Sequence, residues 1–188
     1  MYKALLGLGV ALAIAVTIVV TGDSVTSYMR QTAAVVTATL FSLTNESRGE
    51  KELYGLAENA SLTAAAQAKA SDMAARGYFS HATPDGEPFW VWVRDAGYEY
   101  SYAGENLAIN FTESEEVIDA WLNSDSHRAN VLNAKFTEIG IATATGTYKG
   151  RPTTFIVQMF GRPAHLVSLE YQEGVRDDSV APLVIHRR

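Results

Sequence analysis

In two segments of the C-terminal half of the chain, larger apolar residues alternate with small or polar ones. This alternation is the two-residue period of a β-strand. The segments are Ile139–Thr145 and Thr153–Phe160, and residues 146–150 (Gly-Thr-Tyr-Lys-Gly) supply the turn between them. The apolar residues upstream recur instead every three or four positions, as on one face of a helix. Helices followed by a terminal hairpin predict an α+β fold rather than a βαβ winding.

Four helices are predicted before the hairpin. The first covers about residues 44–57, with Leu43, Leu53 and Leu56 facing inward. The second covers residues 62–76; it is rich in alanine, has its cap in Asn59-Ala60-Ser61, and ends at Gly77.

A third, short helix follows the aromatic run at residues 89–93 and stops at Gly97. The fourth begins with Thr112 or Ser114 as its cap and ends near Asn123. Its apolar face is formed by four residues, Val117, Ile118, Trp121 and Leu122.

Composition limits both the size of the protein and its chemistry. A chain of 188 residues with 47% hydrophobic side chains can bury one core, so one domain with appendages is expected. The absence of cysteine removes disulfides, thiol nucleophiles and thiolate metal sites. A net charge of −6 and a pI near 5.2 argue against a nucleic-acid partner, which would require a clustered basic face.

The N-terminal region indicates a membrane attachment. Residues 4–22 carry no charge and, as a helix, match the ~30 Å hydrocarbon core, so residues 1–22 are predicted to be a transmembrane anchor, with a cleaved signal segment as the alternative. Residues 23–40 then form a stalk, residues 41–163 the domain and residues 164–188 a C-terminal extension. The single Lys3 before the apolar run favours a domain outside the cytoplasm, membrane-anchored or, after cleavage, secreted.

Three polar residues stand beside apolar runs and are candidates for a site. His81 follows Tyr-Phe-Ser and precedes a tight turn, Glu105 lies between Gly104 and Asn106, and His127 opens a short helix. Each histidine is compatible with a structural hydrogen-bonding role or with chemistry, and Glu105 is either solvated or recruited by an imidazole N–H. The helix N-terminus and the neighbouring Arg128 predict a neutral His127.

Taken together and in this order, these motifs resemble the CAP superfamily (cysteine-rich secretory proteins, antigen 5 and pathogenesis-related class 1 proteins; the SCP domain). The quoted segments are Tyr-Phe-Ser-His at 78–81, Gly-Glu-Asn-Leu-Ala at 104–108, Ser-His-Arg-Ala-Asn-Val-Leu at 126–132 and Ile-Gly at 139–140. The lack of cysteine places the resemblance with the bacterial branch. It implies a three-layer α-β-α sandwich with a central antiparallel sheet.

The resemblance also implies a cleft lined by two histidines and two acidic residues, which holds a divalent metal in some members. His81, Glu105 and His127 match three of these positions. The fourth position lies three residues after Trp121, where members with the complete set have glutamate and this chain has Ser124. A carboxylate lost there weakens both an acid/base pair and a metal's charge balance.

Three functions are weighed for this cleft, which is taken as His81, Glu105, Ser124 and His127. The favoured one is a non-catalytic binding module for a lipid, a peptide or a cell-envelope component, because the fourth acid is missing and aromatic residues are dense between Phe79 and Tyr102. The second is a metal-assisted hydrolase, peptidase or esterase, in which both histidines hold Zn²⁺ or another divalent cation and Glu105 activates water. The third is a structural envelope protein. No other cofactor is expected.

Overall fold

The structure is a computed structural model that describes residues 37–164. Residues 37–49 form helix α1. The elements that follow are β1 (Ala57–Glu58), α2 (Ala60–Arg76), α3 (Trp90–Asp95), β2 (Tyr100–Ile109), α4 (Ser114–Asn123), α5 (Asp125–Val131), β3 (Glu138–Tyr148) and β4 (Arg151–Pro163). Between residues 37 and 164 no helix is long and apolar enough to cross a membrane. The predicted anchor, most of the stalk and nearly all of the C-terminal extension lie outside the described residues.

The four strands form one mixed sheet in the order β1-β3-β4-β2. Strand β4 pairs antiparallel with both β3 and β2, as the hairpin pattern predicts. The expectation of a wholly antiparallel sheet is wrong at one edge, because β1 pairs parallel with β3 through Ala57–Glu138 and Glu58–Ile139. A two-residue strand is too short to show any alternation, and the long connection from β1 to β3 permits parallel pairing.

Helices cover both faces of the sheet. On one face, α2 and α3 pack on strand residues such as Leu107 and Val157. On the other face, α1, α4 and α5 pack on the neighbouring strand residues Ala108 and Ile156. Because successive side chains of a strand point to opposite faces, two separate hydrophobic cores result. The arrangement is a three-layer α-β-α sandwich, as expected.

The first helix lies further towards the N-terminus than the sequence predicts. It occupies residues 37–49 rather than 44–57, and Leu40 is fully buried, so the packed domain already includes residues before Phe41. The segment after it folds back because the buried guanidinium of Arg48 donates hydrogen bonds to the main-chain oxygens of Tyr54 and Val131, at 2.9 and 2.8 Å. Leu56 is buried as predicted, but from a loop.

Local signals set the ends of the next helices. Asn59 caps α2 through its side-chain oxygen, which accepts from the main-chain N–H groups of Ser61 and Leu62. Gly77, with a φ of +66°, ends that helix in the left-handed conformation that glycine tolerates best. The capping segment and the end at Gly77 were predicted, but α2 begins at Ala60 and not at Leu62. The cap of α4, in contrast, is Glu113 and not Thr112 or Ser114.

Strand β2 is the element that the sequence analysis did not identify. It contains the Gly104-Glu105-Asn106 motif. The small and polar residues of this motif interrupt the alternation of apolar and polar residues that predicts a strand. The residues from Gly104 to Ala108 are nonetheless all buried. Polar side chains in a buried strand require partners, and those partners build the candidate site.

Helix α2 approaches β3 closely at Gly140. A Cβ atom at this position would lie 2.1 Å from the main-chain nitrogen of Thr63 and 2.2 Å from the carbonyl carbon of Leu62. Real Cβ atoms do not come so near to backbone, so the absence of a side chain at Gly140 sets the distance between helix and sheet.

Replacing Gly140 with alanine is therefore expected to lower the free energy of unfolding by about 1–3 kcal/mol or more, because α2 must shift away from the sheet. Chemical denaturation of the full chain measures this change. Gly49→Ala is the matched control, since a Cβ there meets nothing within 4 Å. Equal unfolding midpoints for the two variants would contradict the close packing described here.

Candidate functional site

A cavity of about 520 Å³ lies along β2, between α5 on one side and α3 with the loops before it on the other. Its wall combines aromatic and polar side chains with small ones. The lining residues are His81, Ala82, Pro88, Phe89, Trp90, Ala103, Gly104, Glu105, Asp125, Ser126, His127, Ala129 and Asn130. A volume of this size is typical of small-molecule and peptide-side-chain sites.

His81 and Glu105 are joined by a short hydrogen bond. Nδ1 of His81 lies 2.6 Å from Oε1 of Glu105. The carboxylate side chain is 1% exposed, whereas the imidazole is 56% exposed. When the carboxylate of Glu105 is ionised it only accepts hydrogen bonds, and the proton then lies on Nδ1 and leaves the Nε2 atom of His81 to other partners. The reading of Glu105 as a solvated residue is wrong; it is recruited by the imidazole.

Glu105 occupies an environment that opposes its charge. Burial raises the pKa of Glu105, while the hydrogen bond from His81 and the charge of Lys69 act in the lowering direction. Its second oxygen, Oε2, is buried and receives no hydrogen bond from the described residues. A buried carboxylate oxygen without a donor is costly, and a ligand that carries a donor would relieve that cost.

Lys69 holds the main chain of His81 in place by a hydrogen bond. This lysine is fully buried on α2, and its Nζ donates to the main-chain oxygen of His81 at 2.9 Å and to the hydroxyl of Tyr78 at 3.3 Å. Burial lowers the pKa of Lys69, and the charges of Glu105 and Asp72 oppose that effect. The buried ammonium thus fixes the backbone that carries His81.

His127 stands on α5 and also lines the cavity. Its Nδ1 lies 2.9 Å from Oγ of Ser124, which contacts the ring from behind and is not one of the cavity-lining residues. Burial, and secondarily the nearby His81, lower the pKa of His127, so the ring is neutral near pH 7. The predicted direction is confirmed but its cause is different: Arg128 is engaged with Asp125 and with the main-chain oxygen of Leu122.

A buried amide network attaches α5 to β2. Nδ2 of Asn106 donates to the main-chain oxygen of His127 at 3.2 Å and to Oε1 of Gln158 at 3.1 Å. Nδ2 of Asn130 donates to Oδ1 of Asn106 and to the main-chain oxygen of Glu105, both at 3.0 Å. Gln158 continues the network to the hydroxyl of Thr44 on α1. These bonds hold His127 beside Glu105.

The cleft offers two histidines, His81 and His127, as candidate metal ligands. Across residues 37–164, no group of three or more histidine, aspartate or glutamate side chains is placed to hold a metal. Catalytic zinc sites use three protein ligands, and here Oε1 of Glu105 is already committed to His81. The metal site expected at His81 and His127, and the metal-assisted hydrolase built on it, stay predictions.

The cavity brings together His81, Glu105 and His127, which are far apart in the sequence. Three of the residues that position them were not predicted to do so: Lys69, Asn106 and Gln158. Two signals were available. Lys69 is a charged residue on an otherwise alanine-rich inward face, and Gln158 interrupts the apolar run of Phe155–Phe160.

The chain is similar to one known family and to two proteins of Bacillus subtilis. A sequence model of the cysteine-rich secretory protein family (CAP) matches residues 41–160. The Bacillus subtilis protein YkwD is 42% identical over 100 residues, which are 53% of this chain and 38% of that protein. The Bacillus subtilis membrane protein YlbC is 28% identical over 102 residues, 54% of this chain and 30% of that protein. The chain thus spans well under half of the length of these two relatives.

Solved structures agree with the sequence matches. An extracellular SCP-domain protein from Bacillus anthracis has a TM-score of 0.62 and 30% identity, covering 76% of this chain and 44% of that one. An outer surface protein from Borrelia burgdorferi has a TM-score of 0.60 at 23% identity, covering 68% and 92%. The second likeness is one of fold.

Acidification is expected to destabilise the protein through His127. Because its folded pKa lies below the usual 6.5, the unfolded chain takes up a proton first, and the stabilising contribution falls as the pH drops from about 6.5 through the lowered pKa. Chemical denaturation of the wild type and His127→Gln between pH 7.5 and 5 measures it. The wild type should lose more stability than the variant over this range, and parallel losses would contradict the shift.

Asn106→Ala is expected to lower the free energy of unfolding by about 2–3 kcal/mol, because it leaves the partners of the buried amide unsatisfied. It should also broaden the NMR signals of the His127 ring, since α5 loses its attachment to β2. Asn123→Ala, at the exposed end of α4, is the control and should change neither quantity. A destabilised Asn106 variant with an unaltered His127 ring would show that the network does not position α5.

Proposed function

The chain belongs to the cysteine-rich secretory protein (CAP) family, and from this membership and the cleft we propose that it is an extracytoplasmic binding module. The observation that carries the proposal is the cavity of about 520 Å³, in which Phe89 and Trp90 face a polar side built from His81, Glu105 and His127. Apolar walls with a few fixed polar groups are the usual composition of a binding site.

The chemistry of the cleft favours binding over turnover. The described residues offer no metal ligand set, and the fourth acidic position is Ser124, whose hydroxyl is bonded to His127. The candidates for acid/base work are Glu105, which is paired with His81, and the neutral imidazole of His127. Oε2 of Glu105, buried without a donor, is suited to receive a hydrogen bond from a bound molecule.

The location of the module is inferred from its relatives and from the N-terminal sequence. One similar structure is described as an extracellular protein, and one curated relative as a membrane protein. The uncharged run at residues 4–22 is consistent with an anchor or an export signal. We therefore infer that the cleft faces a ligand of the cell envelope or the medium. A purely structural envelope protein is the alternative, in which the polar groups only brace loops.

The binding role is tested on the full chain in detergent micelles with three probes: a soluble peptidoglycan fragment, oleate, and a pool of capped tetrapeptide amides. At least one probe should shift the NMR signals of the Trp90 indole and of the His81 and His127 rings. Phe89→Ala should weaken that binding about tenfold, because it removes an aromatic wall.

Phe111→Ala is the matched control, since Phe111 is also partly buried but packs on the opposite face of the sheet. If no probe shifts the three signals, the binding role is overturned and the structural alternative gains support. If a probe binds the wild type and both variants equally, binding at this cleft is overturned.

A further inference from the structure

One side of the cavity is the outer edge of the sheet. Strand β2 is the last strand in the order β1-β3-β4-β2, and Ala103, Gly104 and Glu105 line the cavity. An edge strand presents main-chain N–H and C=O groups that no neighbouring strand uses. Which residues present them follows from the pairing with β4.

Every second residue of β2 forms main-chain hydrogen bonds with β4. The N–H of Asn110 donates to the oxygen of Thr154 at 3.1 Å, and the same register continues from Ile109–Phe155 to Tyr102–Arg162. In an antiparallel pair, every second residue bonds to the partner and the residues between point away from it. The even-numbered residues from 102 to 110 therefore face β4, and Ala103, Glu105 and Leu107 direct their main-chain groups outward.

Two side-chain contacts confirm this direction independently. Nδ2 of Asn130 donates to the main-chain oxygen of Glu105, and Nε1 of Trp121 donates to that of Leu107, at 3.0 and 3.1 Å. Helices α4 and α5 thus cover the outer edge from Glu105 onward. The edge before that point, at Ala103, forms part of the cavity wall.

We propose that the cleft binds an extended peptide segment, which adds as a short strand beside β2 at Ala103 and Glu105. The proposal rests on the binding role and specifies the class of ligand. A segment of three residues spans about 10 Å and would exchange main-chain hydrogen bonds with Ala103, and one of its carbonyl oxygens would accept from the N–H of Glu105. Its side chains would lie alternately against the Phe89–Trp90 wall and towards α5.

A peptide suits these groups better than an alkyl chain or a sugar does. The outward N–H and C=O groups repeat every second residue of β2, which is the spacing at which a second strand offers its own donors and acceptors. An alkyl chain would leave them without partners in a buried interface, and such unsatisfied groups oppose binding. Oε2 of Glu105 can receive one further donor from the segment.

Hydrogen exchange of the main-chain amides, measured on the unmodified full chain, tests directly whether a peptide adds as a strand. In detergent micelles, the pool of capped tetrapeptide amides should slow exchange at the amides of Ala103 and Glu105. The amide of Ile109 is an internal control, because it also points outward but lies beyond the cavity. A second pool, N-methylated at alternate residues, should lose this protection, since it lacks donors along one side.

A variant that removes a main-chain N–H of β2 tests the same hydrogen bonds from the protein. Ala103→Pro removes an outward N–H and keeps the bonds to β4, and proline is tolerated at sheet edges. It should weaken binding of the unmethylated pool about tenfold. Ile109→Pro makes the same backbone change away from the cavity and should bind as the wild type does.

The outcomes separate this proposal from the binding role. Oleate or the peptidoglycan fragment shifting Trp90 and His81, with no probe protecting Ala103 and Glu105, would overturn strand addition and leave the binding role intact. Absence of any shift would overturn both. Equal binding of the methylated and unmethylated pools would also reject strand addition, whatever the stability of the proline variant.

Discussion

The structure depends on which groups donate hydrogen bonds to the main-chain carbonyls on the outer edge of β2. This strand has one partner, so the carbonyl groups of Glu105 and Leu107 require donors from elsewhere. Asn130 and Trp121 supply them, and in doing so they fix α5 and α4 against the edge. The position of His127 beside Glu105 follows from that attachment. The cleft therefore forms because side chains of two helices, and not another strand, donate hydrogen bonds to this edge of the sheet.

The charged groups under the cleft form a second, linked constraint. Lys69 and Glu105 are both buried, and each opposes in the other the pKa shift that burial causes. Removing either would leave an uncompensated charge in the protein interior, which is more costly than the pair itself. Because Lys69 also holds the main-chain oxygen of His81, the electrostatic balance and the position of the imidazole depend on the same ammonium group.

Much of the fold was visible in local patterns. The end of α2 at Gly77 and the pairing of β3 with β4 were predicted, because capping and strand alternation act between residues close in sequence. Strand β2 was not recognised and α1 was placed too far along the chain. In both cases the decisive partners are distant: Asn130 for β2, and the carbonyl of Val131 for Arg48 at the end of α1.

For the site, the sequence by itself, through its resemblance to the CAP family, predicted residues of the cleft: His81, Glu105 and His127, with a serine at position 124 where a second acid would complete the set. Only the tertiary structure decided their state. It buried Glu105 and paired it with His81, joined Ser124 to His127 by a hydrogen bond, and placed Ala103, Gly104 and Glu105 of β2 in the cavity wall. The reason is physical, since desolvation, pairing and the direction of backbone groups depend on neighbours that folding brings together from distant parts of the chain.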